Sequence, residues 1–443
     1  MEAQQQRLTT TLVLLLAAVL FVSASAPSSS SEAHEATPGG LHPVILLPGY
    51  FCGQLDARLT DEYKPPTPGC GVPKQGRRWF RLWENFTALQ EDPALLPCYE
   101  DQLRLVYDHA AGDYRNLPGV ETRVVSFGTT RSFFFDDPAK KNTCMERLVE
   151  ALEGVGYREG ANLFGAPYDF RYAPAAPGVA SMAFADFSSN LRLLVERASV
   201  RNGDKPVILV THSFGGLFAT EFLNRSPLPW RRRYVKHLVM LCHGVGGSAL
   251  TLQVLASASS TAGTSPAPTT TLLGTVLSFG NRSFGSTLSR LPSPEVYGDT
   301  PLVITRGKNY SAQNMPEFLA AIGFAGDEVE RYRTRTLPVT LNFRAPLVPV
   351  TSINGVGVPT VHRLIYWDGN FSAKPQVVNG DGDGIVSLDT VLALQTFVGD
   401  DPDQRYFKSV LIPNMTHTGM ISDDVALSRV VKEILEANQA TSS

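Results

Sequence analysis

The sequence predicts an α/β fold in which a mostly parallel central sheet carries helices on both faces. Short β-branched runs alternate with helical patterns along the 443 residues, as in successive βαβ units. One of these runs turns directly into helical spacing at Thr-His-Ser-Phe-Gly-Gly, residues 211–216. The net charge is −3 and the sequence has no basic stripe, which argues against nucleic acid as a partner.

The spacing of apolar residues predicts the individual elements. Strands are predicted at residues 43–47, 122–125, 206–210, 238–241 and 350–353. Helices are predicted at residues 145–154, 184–198 and 216–224. The last helix is the clearest, because apolar residues between 427 and 435 repeat on one face behind the candidate caps Asp423 and Asp424.

The N-terminus has the pattern of a secretory signal peptide over residues 1–26, followed by a disordered leader over residues 27–40. Arg7 precedes an apolar run at 12–22, and small residues follow the run. That run is shorter than the roughly 20 residues that span a bilayer, although a retained anchor is the alternative. The folded domain is therefore predicted at residues 41–443, in the secretory pathway, outside the cell or in a vacuole.

Five cysteines are compatible with an oxidising compartment, and their odd number leaves at least one thiol free. We expect Cys70 to pair with Cys98, because these two flank an aromatic segment without regular-structure signals at its ends. No Cys-x-x-Cys pattern occurs, so we expect no zinc site and, more generally, no metal and no cofactor. N-glycosylation acceptor patterns occur at Asn85, Asn281, Asn309, Asn370 and Asn414.

Two regions interrupt the α/β rhythm. Residues 255–271 are rich in Ser, Thr, Ala and Pro, which predicts a poorly ordered loop, either a functional lid or a plain surface insertion. Residues 56–99 carry Trp79, Phe80 and Trp83 among arginines, a composition suited to contact with a membrane or lipid. Packing of these rings into a cap is the alternative.

The serine in Thr-His-Ser-Phe-Gly-Gly is the candidate nucleophile. A strand that feeds a helix through this motif forces Ser213 into a sharp turn, which lifts the hydroxyl above the sheet and requires a small residue at Gly215. The motif usually begins with glycine, and Thr211 stands there instead. His212 is expected to point away and to be structural. The alternative for Ser213 is an ordinary helix cap.

A nucleophilic serine needs a base and an orienting acid, which in α/β hydrolases follow it in the order acid, then histidine. Glycines flank Asp383, so we expect a tight turn that exposes this carboxylate, and Asp381 is the second choice. His362 precedes the acid, which leaves His417 as the candidate base. The Gly-Asp repeat also suits a calcium loop, but the further ligands of an EF-hand are missing.

The oxyanion that forms during acyl transfer needs two backbone N–H donors. One is expected from Phe214, where the helix begins, and the other from Tyr50, in the loop that Pro48-Gly49 opens after the first strand.

These motifs resemble the lecithin:cholesterol acyltransferase family, and its plant phospholipid acyltransferase-like and phospholipase branch in particular. The similar stretches are, in chain order, HPVILLPG, GQLDARL, WFRLWEN, GAPYDFRY, THSFGG, YGDTPLVITRGKNYSAQNM, GDGDGIVSL and THTGMI. The resemblance implies an α/β-hydrolase core with a membrane-binding subdomain at about 56–100 and a cap or lid region at about 248–345. It implies a triad of Ser213, Asp383 and His417 that cleaves the acyl ester of a phospholipid.

The resemblance also concerns the cysteines, and this sequence departs from the family pattern at two places. Cys70–Cys98 is similar to the family's first disulfide loop, whereas the second disulfide of animal relatives has no counterpart. Val245 stands where relatives carry a tryptophan, and Phe51-Cys52-Gly53 stands where they carry Leu-Gly-Asn.

The sequence therefore predicts an enzyme that forms an acyl-serine from a phospholipid, at a membrane or lipid-particle surface, and passes the acyl group to a sterol-like lipid alcohol or to water. A secreted phospholipase A or esterase with water as its only acceptor is the runner-up. An esterase for small substrates and a noncatalytic lipid carrier on the same fold are the remaining alternatives.

Overall fold

The computed structural model describes residues 40–67, 70, 78–83, 91–135, 143–259 and 282–440. The predicted signal peptide, the leader up to residue 39 and the acceptor sites Asn85 and Asn281 lie outside these residues. Asn309, Asn370 and Asn414 are exposed.

The strands and helices alternate along most of the described chain. The strands are β1 Val44–Leu47, β2 Leu55–Leu59, β3 Phe80–Trp83, β4 Leu105–Asp108, β5 Asp113–Asn116, β6 Val120–Val124, β7 Leu163–Gly165, β8 Val207–His212, β9 Val235–Leu241, β10 Val303–Ile304, β11 Asn309–Tyr310, β12 Val350–Val356, β13 Thr360–Ile365, β14 Gln376–Gly380 and β15 Phe407–Pro413. The α-helices are α1 Leu96–Leu103, α2 Glu146–Gly154, α3 Met182–Arg201, α4 Gly215–Asn224, α5 Leu228–Tyr234, α6 Leu250–Ser259, α7 Gly285–Leu288, α8 Pro294–Tyr297, α9 Met315–Ala321, α10 Gly326–Arg331, α11 Leu337–Thr340, α12 Leu388–Leu394 and α13 Asp424–Gln439.

A six-stranded sheet in the order β15-β12-β9-β8-β1-β7 forms the centre of the fold. Every neighbouring pair in it is parallel. Strand β8 is buried at all of its positions. The side chains on both faces of a parallel strand are buried only where helices cover both faces of the sheet. The predicted mostly parallel sheet is confirmed.

Four of the five predicted strands lie in this sheet, and the fifth does not. The pattern at 122–125 corresponds to β6, which joins β2 and β3 in a separate antiparallel sheet. Strand β6 is buried at Val120 alone, whereas β1 and β8 of the parallel sheet are buried at every position. Strand β7 takes the edge position of the central sheet instead, and its three residues are too few to form a recognisable pattern.

A smaller four-stranded sheet, in the order β11-β10-β13-β14, belongs to the region predicted as a cap. A second hydrophobic core joins this sheet to α6 and α9. Strands β13 and β14 of this sheet come after residue 345, where the predicted cap region ends. Within the described residues, no helix has both the length and the apolar composition to cross a bilayer.

Two disulfides tie the described chain together. Cys70–Cys98 forms as predicted, whereas Cys52–Cys144 was not predicted. Its partners lie 92 residues apart, and only the folding of the loop after β1 against the start of α2 brings them together. Cys242 stays free and buried.

Candidate active site

The predicted site residues gather at the carboxyl ends of the central parallel strands, where ligands bind in open α/β sheets. Tyr50 follows β1, Ser213 follows β8, and His417 follows β15. All three line one cavity of about 340 Å³, within the range of roughly 300–1,000 Å³ that is usual for small-molecule sites.

Ser213 occupies the sharp turn that its motif predicts. Its φ of 53° lies in the left-handed region, a strained conformation for a residue other than glycine. The turn leaves no room beside it, because a Cβ on Gly215 would lie 2.5 Å from the Pro48 carbonyl oxygen. Thr211, which replaces the usual glycine, is fully buried and pairs with β1 and β9.

His417 is held by Asp383. The imidazole Nδ1 lies 2.8 Å from Asp383 Oδ2, and the other carboxylate oxygen accepts hydrogen bonds from the N–H groups of Ile385 at 2.9 Å and Val386 at 2.7 Å. Burial opposes ionisation of Asp383, but His417 and these N–H groups hold the pKa of the carboxyl below its ordinary value. The carboxylate is therefore charged at neutral pH.

The expectation that the turn exposes Asp383 is wrong, since the residue is only 2% exposed. The flanking backbone folds over the carboxylate and donates to it, as a buried charge requires. The second choice, Asp381, is exposed and accepts a hydrogen bond from the Gly357 N–H at 2.6 Å.

His212 does not point away from the site. Its Nε2 lies 3.1 Å from the His417 carbonyl oxygen, and the two imidazole centroids are 4.9 Å apart. Burial, with the nearby His417, lowers the pKa of His212 to about 3. The ring is thus neutral and donates from Nε2 to the backbone of His417.

Ser213 and His417 face the same cavity, although no hydrogen bond joins their side chains in the described part of the chain. Because Nδ1 of His417 is bonded to Asp383, Nε2 is the nitrogen left for the serine hydroxyl. Neither the Tyr50 nor the Phe214 backbone N–H donates to another described group, and Phe214 stands at the N-terminus of α4. Both amides are therefore free to stabilise an oxyanion.

The predicted lipid-contact residues have different surroundings. Trp83 is 3% exposed, lines the cavity and donates from its indole N–H to the Phe51 carbonyl oxygen at 2.8 Å. This burial contradicts contact of Trp83 with a membrane surface, whereas its contact with lipid inside the cavity stays a prediction. Phe80 and Trp79 are half-buried, and the Trp79 ring lies beside the guanidinium groups of Arg58 and Arg123.

The predicted loop at 255–271 begins as a helix. Residues 255–259 belong to α6, and the remainder lies outside the described residues. Leu250, Thr251 and Val254 of α6 line the cavity. Alanine, one of the small residues that suggested a loop, is the best helix former.

Two residues of the site carried no signal in the sequence. The buried thiol of Cys242 lies within 4.8 Å of the Asp383 carboxylate, and burial raises the pKa of this thiol. The second residue is Arg290, in the cavity wall. Both residues lie far from Ser213 along the chain, so only the tertiary structure places them at the site.

Residues 79–301 match the family model for lecithin:cholesterol acyltransferase. The chain belongs to this family. It is 43% identical to lecithin-cholesterol acyltransferase-like 1 of Oryza sativa subsp. japonica, over 90% of this chain and 87% of the relative. It is 32% identical to the human lysosomal phospholipase A and acyltransferase, over 91% of this chain and 93% of the relative.

Among solved structures, a chain of the Tle4–Tli4 complex matches with a TM-score of 0.51 and 13% identity, over 90% of this chain and 99% of that one. This likeness concerns the fold alone. It agrees with the α/β-hydrolase fold that the family resemblance implies.

Proposed function

We propose that this chain cleaves the acyl ester of a phospholipid through an acyl-serine at Ser213 and passes the acyl group to a lipid alcohol or to water. Membership of the lecithin:cholesterol acyltransferase family makes it an acyltransferase or phospholipase. The observation that carries the proposed mechanism is the convergence of the strained Ser213 and the Asp383-bound His417 on one cavity.

In the proposed mechanism, His417 Nε2 accepts the hydroxyl proton as Ser213 attacks the acyl carbonyl carbon. Asp383 keeps the imidazole in the tautomer with its proton on Nδ1 and stabilises the imidazolium that forms. The N–H groups of Tyr50 and Phe214 stabilise the negative oxygen. The imidazolium then returns its proton to the leaving lysophospholipid, and an acyl-serine remains.

The second half of the reaction depends on the acceptor. His417 removes a proton from an alcohol or a water molecule, which attacks the acyl-serine and restores the free hydroxyl. A lipid alcohol competes with water only where the cavity excludes water. The apolar wall formed by Leu250, Val254 and Trp83 favours such exclusion, and so supports transfer over simple hydrolysis.

The proposed setting is a lipid surface in an oxidising compartment. The two disulfides are typical of the secretory pathway and of compartments reached through it. Phe80 and Trp79 are the remaining candidates for contact with a membrane or lipid particle.

The test incubates purified protein with vesicles of acyl-labelled phosphatidylcholine, with and without sterol, and counts free fatty acid, lysophospholipid and steryl ester. We expect the wild type to release lysophospholipid and Ser213→Ala to release none. We also expect an organophosphate to label Ser213. Steryl ester would identify a transferase, and fatty acid alone would identify a phospholipase A. Undiminished release or labelling in Ser213→Ala would refute the proposed nucleophile.

A further inference from the structure

Arg290 places a positive charge in the wall of the active-site cavity. The cavity is otherwise lined mostly by apolar and uncharged groups, among them Phe51, Trp83 and Val254. Among the described residues, no carboxylate lies within ion-pair distance of the guanidinium group. No described residue therefore neutralises the charge of Arg290.

The contacts of Arg290 do not use all of its donors. The guanidinium carbon lies 3.8 Å from the centroid of the Tyr50 ring, so the ring covers one face. The Nε atom is shielded from solvent and has no hydrogen-bond partner among the described residues. One terminal nitrogen lies 3.5 Å from Thr287 Oγ1, at the limit of a hydrogen bond.

An arginine has five N–H donors, and burying a donor without a partner is costly. Burial lowers the pKa of Arg290, but a guanidinium remains protonated near neutral pH. A ligand that supplies negative oxygens would satisfy these donors. Phosphate suits the planar fork of arginine because two of its oxygens can accept at once.

We propose that Arg290 binds the phosphodiester of the acyl donor and selects phosphate-bearing lipids over neutral acylglycerols. This inference rests on the proposed function. Tyr50 supplies one of the expected oxyanion donors, and Arg290 lies against the ring of the same residue. In a glycerophospholipid the phosphate is attached to the glycerol that carries the scissile ester, so a cation beside the oxyanion site is well placed to reach it.

The competing explanation is that Arg290 only holds the Tyr50 ring in place. That role would affect every ester alike, whereas binding of a phosphate affects only lipids that contain one. The released fatty acid is another source of negative oxygens. Its carboxylate, however, derives from the ester carbonyl and would lie at the Tyr50 and Phe214 amides.

The experiment compares the wild type, Arg290→Met and Arg290→Lys on dioleoylphosphatidylcholine and on dioleoylglycerol in the same nonionic micelles. For Arg290→Met we expect kcat/KM to fall about 10- to 100-fold with the phospholipid and to stay within about twofold with dioleoylglycerol, as for loss of a charge-assisted hydrogen bond. Arg290→Lys keeps the charge but not the two-pronged geometry, so its loss with the phospholipid should be smaller than that of Arg290→Met. Equal losses on both substrates would overturn the inference and leave Arg290 as a support for Tyr50.

Two further measurements separate the remaining outcomes. Inhibition by oleate should be unchanged in Arg290→Met, and weaker inhibition with unaltered substrate selectivity would assign Arg290 to the carboxylate of the product. Binding of an ether-linked phosphatidylcholine, which cannot be hydrolysed, should weaken more in Arg290→Met than in Arg290→Lys. Binding that depends on Arg290 without any ester cleavage would refute the proposed function and retain this inference. Ester cleavage together with equal binding by the wild type and Arg290→Met would retain the proposed function and refute this inference.

Discussion

Replacement of Asp383 by asparagine tests the proposed triad most directly. The carboxylate is 2% exposed and lies 2.8 Å from the Nδ1 atom of His417. With charges about 4 Å apart and an effective dielectric constant of about 20, the attraction between Asp383 and an imidazolium is about 4 kcal/mol. Loss of this attraction slows the reaction about 10³-fold, and loss of tautomer control raises the expected decrease in kcat toward about 10⁴-fold.

The matched control is Asp381→Asn. It removes the charge of an exposed carboxylate that lies two residues before Asp383. We expect this variant to keep kcat within about threefold of the wild type, because the side chain only accepts a hydrogen bond from a loop amide. Release of fatty acid from phosphatidylcholine micelles measures kcat, and circular dichroism verifies folding. A folded Asp383→Asn protein with more than about one tenth of wild-type kcat would contradict the assigned role, given the about 4 kcal/mol at stake.

The remaining predictions concern stability and the lipid surface. Burial lowers the pKa of His237 to about 4, below about 6.5 in the unfolded chain, so the unfolded state binds the proton first and stability falls as the pH decreases through this window. Between about pH 7 and pH 5, the unfolding free energy of His237→Gln should therefore fall by about 2 kcal/mol less than that of the wild type, as measured by urea denaturation. The same dependence of unfolding free energy on pH in both proteins would contradict this. Serine at both Cys52 and Cys144 should lower the unfolding free energy by about 3–5 kcal/mol, because the disulfide closes a loop of 92 residues, and an unchanged denaturation midpoint would show that this bond contributes nothing. Trp79→Ala should weaken cosedimentation with phospholipid vesicles while keeping the melting temperature, whereas Trp83→Ala should lower stability by about 3–5 kcal/mol; equal vesicle binding by the wild type and Trp79→Ala would remove Trp79 from the lipid contact.

The candidate nucleophile and the strands beside it were accessible from sequence because their signals are local. The apolar run before Ser213 and the helical spacing after it lie within about 20 residues of chain, the scale on which hydrophobic periodicity operates. The flanking glycines favour Asp383 as the acid, with Asp381 as second choice, and chain order then leaves His417 as the base. In the structure these two side chains form a hydrogen bond, although their catalytic roles stay a prediction.

Errors arose where one residue type suits two environments. Trp83 was assigned to a lipid surface because tryptophan is common at membrane interfaces, yet the indole packs against Phe51 and Phe170 in the core. Residues 122–125 have the composition of a strand, but composition does not specify the sheet that the strand joins. The sequence predicts that His212 points away from the site, but its ring lies against His417.

The sequence by itself determined the α/β alternation, the turn at Ser213 and the order of the candidate triad, because backbone preferences and hydrophobic period act between neighbouring residues. The tertiary structure alone decided that Cys52 meets Cys144, that Asp383 is buried beneath its own loop and that Arg290 faces the cavity. The disulfide and the Arg290 contact with Tyr50 join segments tens to hundreds of residues apart, and the burial of Asp383 depends on how the surrounding chain folds over it, so neither can be read from the spacing of neighbouring residues.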